Sequence, residues 1–283
     1  MTDPSPADPS ATASGGPVAA PPVAGAVAVV TGAAGGIGAA LVAALLARGA
    51  AAVLATDVDP AGLAALVRTH PDADGRLETR VVDVADRAAV ADAVAALAAR
   101  HGPVDLACAN AGLGTLAGVL DGAPEAWRAA WDVNVMGQVH VAAAVLPGML
   151  DRGRGGLLLT ASAAGLLSLP GDAPYAVTKH ASVALAEWLT LTHGPQGVAV
   201  TALCPLGVDT GLLATDALAT RFVRSSGALL PPAEVAAVGL DALARGELLA
   251  LPHPEVAAME AARVADRPGW LARMRAAAAR LGG

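Results

Sequence analysis

From Val27 onward, short apolar runs alternate with longer stretches whose apolar residues recur at helical spacing. Strands are expected at 27–31, 52–56, 77–82, 104–109, 157–161, 198–204 and 247–251. Helices are expected at 36–48, from Pro60, at 87–100, at 124–150 with an adjustment near Pro147, at 174–193, near 232–245 and on toward the C-terminus. Runs that are apolar throughout, each separated from the next by a helix, belong to strands buried on both faces of a parallel sheet. Right-handed crossovers then wind that sheet in both directions. The expected architecture is α/β, a Rossmann-like doubly wound parallel sheet of about seven strands with helices on both faces.

No linker-like break interrupts residues 25–251, so 25–283 is read as one domain with a helical C-terminal extension over 252–283. Residues 1–24, rich in Pro, Ala, Ser and Thr, read as a disordered tail. The stretch from Pro9 to Ala47 has no charge, yet Pro17, Pro21, Pro22 and a series of glycines break it, and Asp3 and Asp8 replace the basic start of a signal peptide. Neither membrane insertion nor secretion is expected. With 55% apolar and 15% charged residues a wholly disordered chain is excluded. Aromatic residues at 2% and a net charge of −7 disfavour a nucleic-acid partner. The two cysteines, Cys108 and Cys204, make no disulfide framework, which points to a reducing, cytoplasmic compartment. The histidines show no paired ligand spacing, so no metal is expected.

The first strand meets the first helix at Thr31-Gly32-Ala33-Ala34-Gly35-Gly36-Ile37-Gly38. Glycines in such a turn let backbone N–H groups approach a pyrophosphate at the helix N-terminus. The spacing Gly32, Gly36, Gly38 is G-x-x-x-G-x-G, and in a chain with 32 glycines it is weak alone. Asp57, at the end of the second strand, adds weight, because a carboxylate there accepts both hydroxyls of an adenosine ribose. It would repel a 2′-phosphate, and Ala33 and Ala34 offer no compensating cation, so NAD is favoured over NADP. Asp83 is expected at the same edge, ending the third strand, while Asp59 and Asp86 read as helix caps.

Tyr175 and Lys179 are the only tyrosine and the only lysine in the chain. Four apart on a helix, they share a face. An ammonium beside a phenol favours the phenolate, which is what a general acid–base tyrosine needs. Chance placement of two unique residues gives this ordered spacing about once in 280 trials, so the pair is the strongest signal in the sequence. Ser162 ends the fifth strand, where its hydroxyl reaches a substrate carbonyl or simply caps a turn. Asn134 lies inside a long helix, either facing solvent or bending the helix to free a carbonyl.

Together these residues resemble the short-chain dehydrogenase/reductase family in its single-domain Y-x-x-x-K form, over residues 26–251. The similarity rests on the loop at Thr31–Gly38, on Asn110-Ala111-Gly112, on Asn134, and on Ser162, Tyr175 and Lys179 in the family's order. It implies that Tyr175 exchanges a proton with the substrate oxygen. Lys179 would lower its pKa and bind the nicotinamide ribose, Ser162 would orient the carbonyl, and Asn134 would hold a relay water. It further implies cofactor contacts at Gly32, Gly36, Ile37, Gly38, Asp57, Asp83, Val84, Asn110, Ala111, Gly112, Pro205, Val208 and Thr210, with Asp83 and Val84 beside the adenine and Asn110 near its ribose. Two positions depart from the pattern: Ala109 replaces the first Asn of Asn-Asn-Ala-Gly, and Leu206 replaces the Gly of Pro-Gly, where a left-handed backbone would be costly.

The segment 207–231, mostly Leu and Ala with Phe222, Arg221 and Arg224, is expected to cover the substrate. With Leu113, Leu166, Leu167 and Leu169 on the same edge, it suggests a pocket for a largely apolar ketone or secondary alcohol. Apolar helices over 124–150 and 174–193 suggest a homodimer or homotetramer. The competing readings are an NADPH-dependent ketoacyl-thioester reductase, a non-catalytic dinucleotide sensor and a helical scaffold without nucleotide.

Overall fold

The structure, a computed structural model, describes residues 16–73 and 75–282, so the tail expected at the N-terminus lies outside the described residues up to residue 15. The chain runs β1 (Val27–Thr31), α1 (Gly36–Ala47), β2 (Ala52–Asp57), α2 (Pro60–Thr69), β3 (Leu77–Val81), α3 (Arg87–His101), β4 (Leu106–Ala109) and α4 (Pro124–Trp131). A π turn (Asp132–Met136) leads into α5 (Gly137–Arg152), β5 (Gly155–Thr160), α6 (Ala164–Leu167), α7 (Ala173–His193) and β6 (Val198–Leu203). The series closes with α8 (Leu218–Ser225), α9 (Pro232–Arg245), β7 (Leu249–Ala250), α10 (Glu255–Ala265) and α11 (Arg267–Gly282).

All seven strands are parallel, in the order β3-β2-β1-β4-β5-β6-β7. The chain moves outward in opposite directions from β1 and β4, so a crevice opens beyond their carboxyl ends. Alternate residues of the inner strands feed two separate cores. Val27, Val29, Leu157 and Leu159 join the layer with α3, α5 and α7, while Ala28, Val30 and Leu158 join the layer with α1, α2 and α9. Each fully buried leucine in these layers contributes about 1.5–3 kcal/mol.

Local chemistry sets the helix ends. Asp59 and Asp86 cap α2 and α3 by accepting from Ala61 N, and from Ala88 N and Ala89 N. Gly153 and Gly246 stop α5 and α9 in the left-handed region, at φ 63° and 70°.

Four expectations are corrected. β3 is an exposed edge strand carrying Glu78, Thr79 and Arg80 rather than a run apolar throughout, and Glu78 pairs with Arg100 and His101 of α3. It stops at Val81, so Asp83 follows the strand instead of ending it. Helix geometry continues through Pro147, and the irregularity of the long helix is the π turn around Asn134. Residues 16–24, read with the tail, lie against the body: Val18, Ala20 and Val23 pack on the second core and Ala20 N donates to Leu243 O at 3.3 Å. The stretch Pro124–Arg152 is the one helical path long and apolar enough to cross a membrane among the described residues. It packs against the sheet, β4 and β5 included, with 44% of its most apolar window buried.

Candidate active site

The glycine loop is held to the sheet by one hydrogen-bonded knot. Thr31 Oγ1 accepts from Asn110 N at 3.0 Å and Ala111 N at 3.1 Å. Asn110 Nδ2 donates to Thr31 O at 3.0 Å and to Gly32 O at 3.1 Å, while Thr160 Oγ1 donates to Asn110 Oδ1 at 3.0 Å. The Asn110 amide thus ties β1, β4 and β5 together beneath the loop. Gly32 has φ +64° and its missing Cβ would lie 2.7 Å from Ala111 Cα, whereas a Cβ on Gly38 would strike the Gly32 carbonyl. No side chain caps α1, which leaves first-turn N–H groups without a protein partner beside a cavity lined by Gly32, Gly35, Gly36 and Ile37. Uncapped donors and three glycines along this wall fit a dinucleotide pyrophosphate.

Asp57 lines the same cavity. Its Oδ2 accepts from Ala34 N at 2.9 Å and its Oδ1 from Asp59 N at 3.0 Å, leaving each oxygen a further lone pair. Asp83 and Val84 are not brought to it. Asp83 is exposed and accepts from Ala85 N at 2.9 Å, and buried Val84 lies against Gly137 with its carbonyl 2.9 Å from His140 Nδ1.

Ser162, Tyr175 and Lys179 meet in this cavity of about 690 Å³, together with Ala111, Gly112, Pro205, Val208 and Thr210. Ser162 sits two residues past β5 and its Oγ accepts from Ala164 N at 3.1 Å. Tyr175 occupies the first turn of α7 and Lys179 the next. The Lys179 ammonium donates to Thr160 O at 2.8 Å and lies 5.5 Å from the Tyr175 ring centroid. Burial pushes the Tyr175 phenol up from its ordinary value; a hydrogen bond from Ser162 works against that rise, and the Asp172 carboxylate adds to it. Burial brings the Lys179 ammonium down to about 8. In the protein alone burial outweighs any acidification of the phenol, and Nζ donates to the strand carbonyl while lying beside the ring.

Asn134 stands behind the pair, fully buried and outside the cavity lining. Its Oδ1 accepts from Leu113 N at 2.8 Å, and its Nδ2 donates to Leu113 O at 2.9 Å and to Thr178 Oγ1 at 3.0 Å. Its backbone carbonyl, inside the π turn, accepts from Ser182 Oγ at 3.2 Å. The side chain fixes the loop after β4 against α7.

Leu206 carries no strain: among the described residues only Leu116 and Ser168 are non-glycine residues with positive φ. Its N–H donates to His253 Nδ1 at 3.1 Å, so the proton of this buried imidazole is on Nε2, which donates to Ala228 O at 3.2 Å. In the covering segment, Arg224 donates to Leu213 O at 2.8 Å and Arg221 pairs with Asp216 at 3.4 Å, so both arginines serve the segment itself.

Three residues went unremarked in the sequence. Asp172, only 2% exposed, caps α7 through Tyr175 N at 3.1 Å and accepts from Thr115 N, Thr115 Oγ1 and Leu116 N, each at 2.8 Å. An Asp two positions before Pro174 is a cap signal that would have found it. Thr178 and His253 had no comparable signal.

Comparisons with known proteins agree with the fold. A profile described as short chain dehydrogenase matches residues 26–219. The 2-keto-3-deoxy-L-fuconate dehydrogenase of Xanthomonas campestris pv. campestris is 36% identical over 176 residues, covering 62% of this chain and 54%, about half, of that relative. The 1-deoxy-11-beta-hydroxypentalenate dehydrogenase of Streptomyces avermitilis is 40% identical over 186 residues, covering 65% and 68%. A short-chain dehydrogenase/reductase from Burkholderia phymatum, solved in complex with NAD, superposes with a TM-score of 0.80 at 30% identity over 87% of this chain and 95% of that one. With the profile spanning more than half of its length, the chain belongs to the short-chain dehydrogenase family.

Proposed function

We propose that residues 25–283 form a single NAD-dependent catalytic domain that interconverts a largely apolar secondary alcohol and its ketone, with Tyr175 as general acid–base. The observation that carries this reading is the meeting of Ser162, Tyr175 and Lys179 in one cavity with the uncapped glycine loop. Gly32, Gly36 and Ile37 with the first turn of α1 would hold the pyrophosphate, Asp57 the adenosine ribose, and Pro205, Val208 and Thr210 the nicotinamide end. The nicotinamide supplies the hydride acceptor or donor and, when oxidised, a positive charge. In the oxidative direction the Tyr175 phenolate takes the hydroxyl proton as the carbinol C–H leaves as hydride and C–O becomes C=O. Ser162 donates to the substrate oxygen and holds it at the phenol. In reduction Tyr175 returns the proton.

Asp57 without a neighbouring cation supports NAD over NADP. The Burkholderia neighbour solved with NAD and a Mycobacterium tuberculosis relative named as an NAD-dependent oxidoreductase, 34% identical over 158 residues, lend the same support. Trp131, Val177, Trp188 and Leu191 stand exposed on α4 and α7, which suits a homodimer or homotetramer. Two buried, unpaired cysteines suit the cytoplasm.

The test is NADH formation with a panel of secondary alcohols, paired with NADH consumption with the matching ketones. Turnover of apolar members is the expected result. NAD-induced thermal stabilisation without turnover of any member would overturn the reading in favour of a dinucleotide sensor.

A further inference from the structure

The cavity is lined in part by a segment that the family profile does not reach. That profile ends at residue 219, yet Met259 of α10 and Trp270 and Met274 of α11 line the same cavity as Tyr175. The arm is fixed in place: α11 packs on α8 and α10, and α10 packs on α6, directly after Ser162. Trp270 is 9% exposed and belongs to the main core, with Met259 and Met274 packed against that core. Phe222 and Val223 of α8 line the cavity alongside them.

This wall has a definite chemistry. The charged residues of the cavity are Asp57, Asp172 and Lys179, and each is engaged at the loop, the α7 cap or the end of β5. None lies on α8, α10 or α11, and the arginines of α8 do not line the cavity. An anionic group entering there would lose its hydration with no cation to replace it. Two thioethers and the Trp270 indole, whose buried Nε1 has no hydrogen-bond partner, instead give a polarisable surface of adjustable shape.

Resting on the hydride-transfer reading above, we infer that the α10–α11 arm is the specificity-determining wall of the site, and that Met259, Trp270 and Met274 select a neutral, ring-sized apolar ketone or alcohol over small or anionic ones. Side-chain volume at Met274 then sets the upper size limit, and the Trp270 indole reports occupancy.

The experiment uses the full chain with NADH and a graded series: cyclopentanone, cyclohexanone, 2-decalone, and 4-oxocyclohexanecarboxylate as the anionic analogue. Two readouts are taken, kcat/KM from NADH consumption and quenching of tryptophan emission, with Trp270→Phe as the control that removes the signal. Met274→Ala is expected to raise the 2-decalone to cyclopentanone ratio of kcat/KM by about tenfold, and Met274→Trp to lower it by about as much. Where Met274→Trp fails to fold, Met274→Ala alone carries the test. Equal factors on every ketone would make the arm merely structural and overturn the inference. So would turnover that leaves Trp270 emission unchanged, or a carboxylate analogue that matches cyclohexanone. Size-ordered quenching without turnover would uphold the wall and sink the hydride-transfer reading alone, and the absence of both signals would sink both.

Discussion

The Lys179 ammonium lies 5.5 Å from the centroid of the Tyr175 ring, beside the aromatic body and anchored to Thr160 O at 2.8 Å. Lysine thus sets a charge next to the phenol without donating to its oxygen, and α7 holds both by their i, i+4 spacing.

Tyr175→Phe removes the hydroxyl and keeps the ring that packs beside Lys179. Turnover is expected to fall by about 10²–10⁴, the range general acid–base groups supply. NAD-induced thermal stabilisation should persist, since the pyrophosphate and ribose positions are untouched. Steady-state rates with any alcohol that the wild type oxidises check this, and a Phe variant turning over at the wild-type rate would remove Tyr175 from the mechanism.

Burying Lys179 has a stability consequence with a definite sign. Its pKa falls from 10.5 to about 8 on folding. Below pH 8 both states hold the proton and the folded state bears the full desolvation cost. Between about 8 and 10.5 the unfolded state binds more protons, so this group makes stability rise with pH. The raised Tyr175 phenol opposes that trend above its unfolded value near 10. Lys179→Met is therefore expected to stabilise the protein at pH 7 by up to roughly 3 kcal/mol, less the lost bond to Thr160 O. The advantage should shrink as pH climbs from 8 to 10. Urea titrations of both proteins across that range give the answer, and parallel stability curves would contradict the assigned burial cost.

Much of this site is legible in the sequence because its markers are local. The glycine loop, the caps Asp59 and Asp86, and the Tyr175–Lys179 spacing each follow from a few neighbouring residues. The parallel, doubly wound sheet follows from strand–helix alternation and right-handed crossovers. What escaped is non-local. Nothing near Asn134 announces that its amide clamps Leu113 and Thr178 across 21 and 44 residues. β3 departs from the apolar run expected of every strand because it is the exposed edge of the sheet. The fate of Asp83 depended on where that edge strand stopped. Contacts of Met259 and Trp270 with the cavity depend on how the C-terminal helices fold back, which periodicity cannot convey.

Asp57 divides its carboxylate between the fold and the cavity, since Ala34 N and Asp59 N each take one oxygen. Asp57→Ala would loosen the loop as well as discharge the site. Asp57→Asn keeps an acceptor for Ala34 N and removes the charge that repels a 2′-phosphate. The NAD to NADP ratio of kcat/KM is expected to fall by about tenfold, the value of one charge-assisted contact. An unchanged ratio would take Asp57 out of cofactor selection.

Ser162 and Asp172 act on the Tyr175 phenol in opposite directions, and that gives a paired test. The Ser162 hydrogen bond favours the phenolate, whereas the Asp172 carboxylate disfavours it. Alcohol oxidation uses the phenolate, so its kcat rises with pH as the phenol ionises. Ser162→Ala should carry that rising limb to higher pH and lower the plateau, because the substrate oxygen loses its donor. Asp172→Asn should carry the limb to lower pH. The stability effects also separate: Asp172→Ala frees three N–H donors, Thr115 N, Leu116 N and Tyr175 N, and should cost roughly 2–4 kcal/mol, while the amide of Asp172→Asn still serves part of them. Leu116, at φ 56° and donating to the same carboxylate, is expected to relax its backbone in the Ala variant. Measured pH–rate profiles decide the matter. Shifts of the two variants in the same direction would mean that global loosening governs the profile, and that the charge of Asp172 does not act on the phenol.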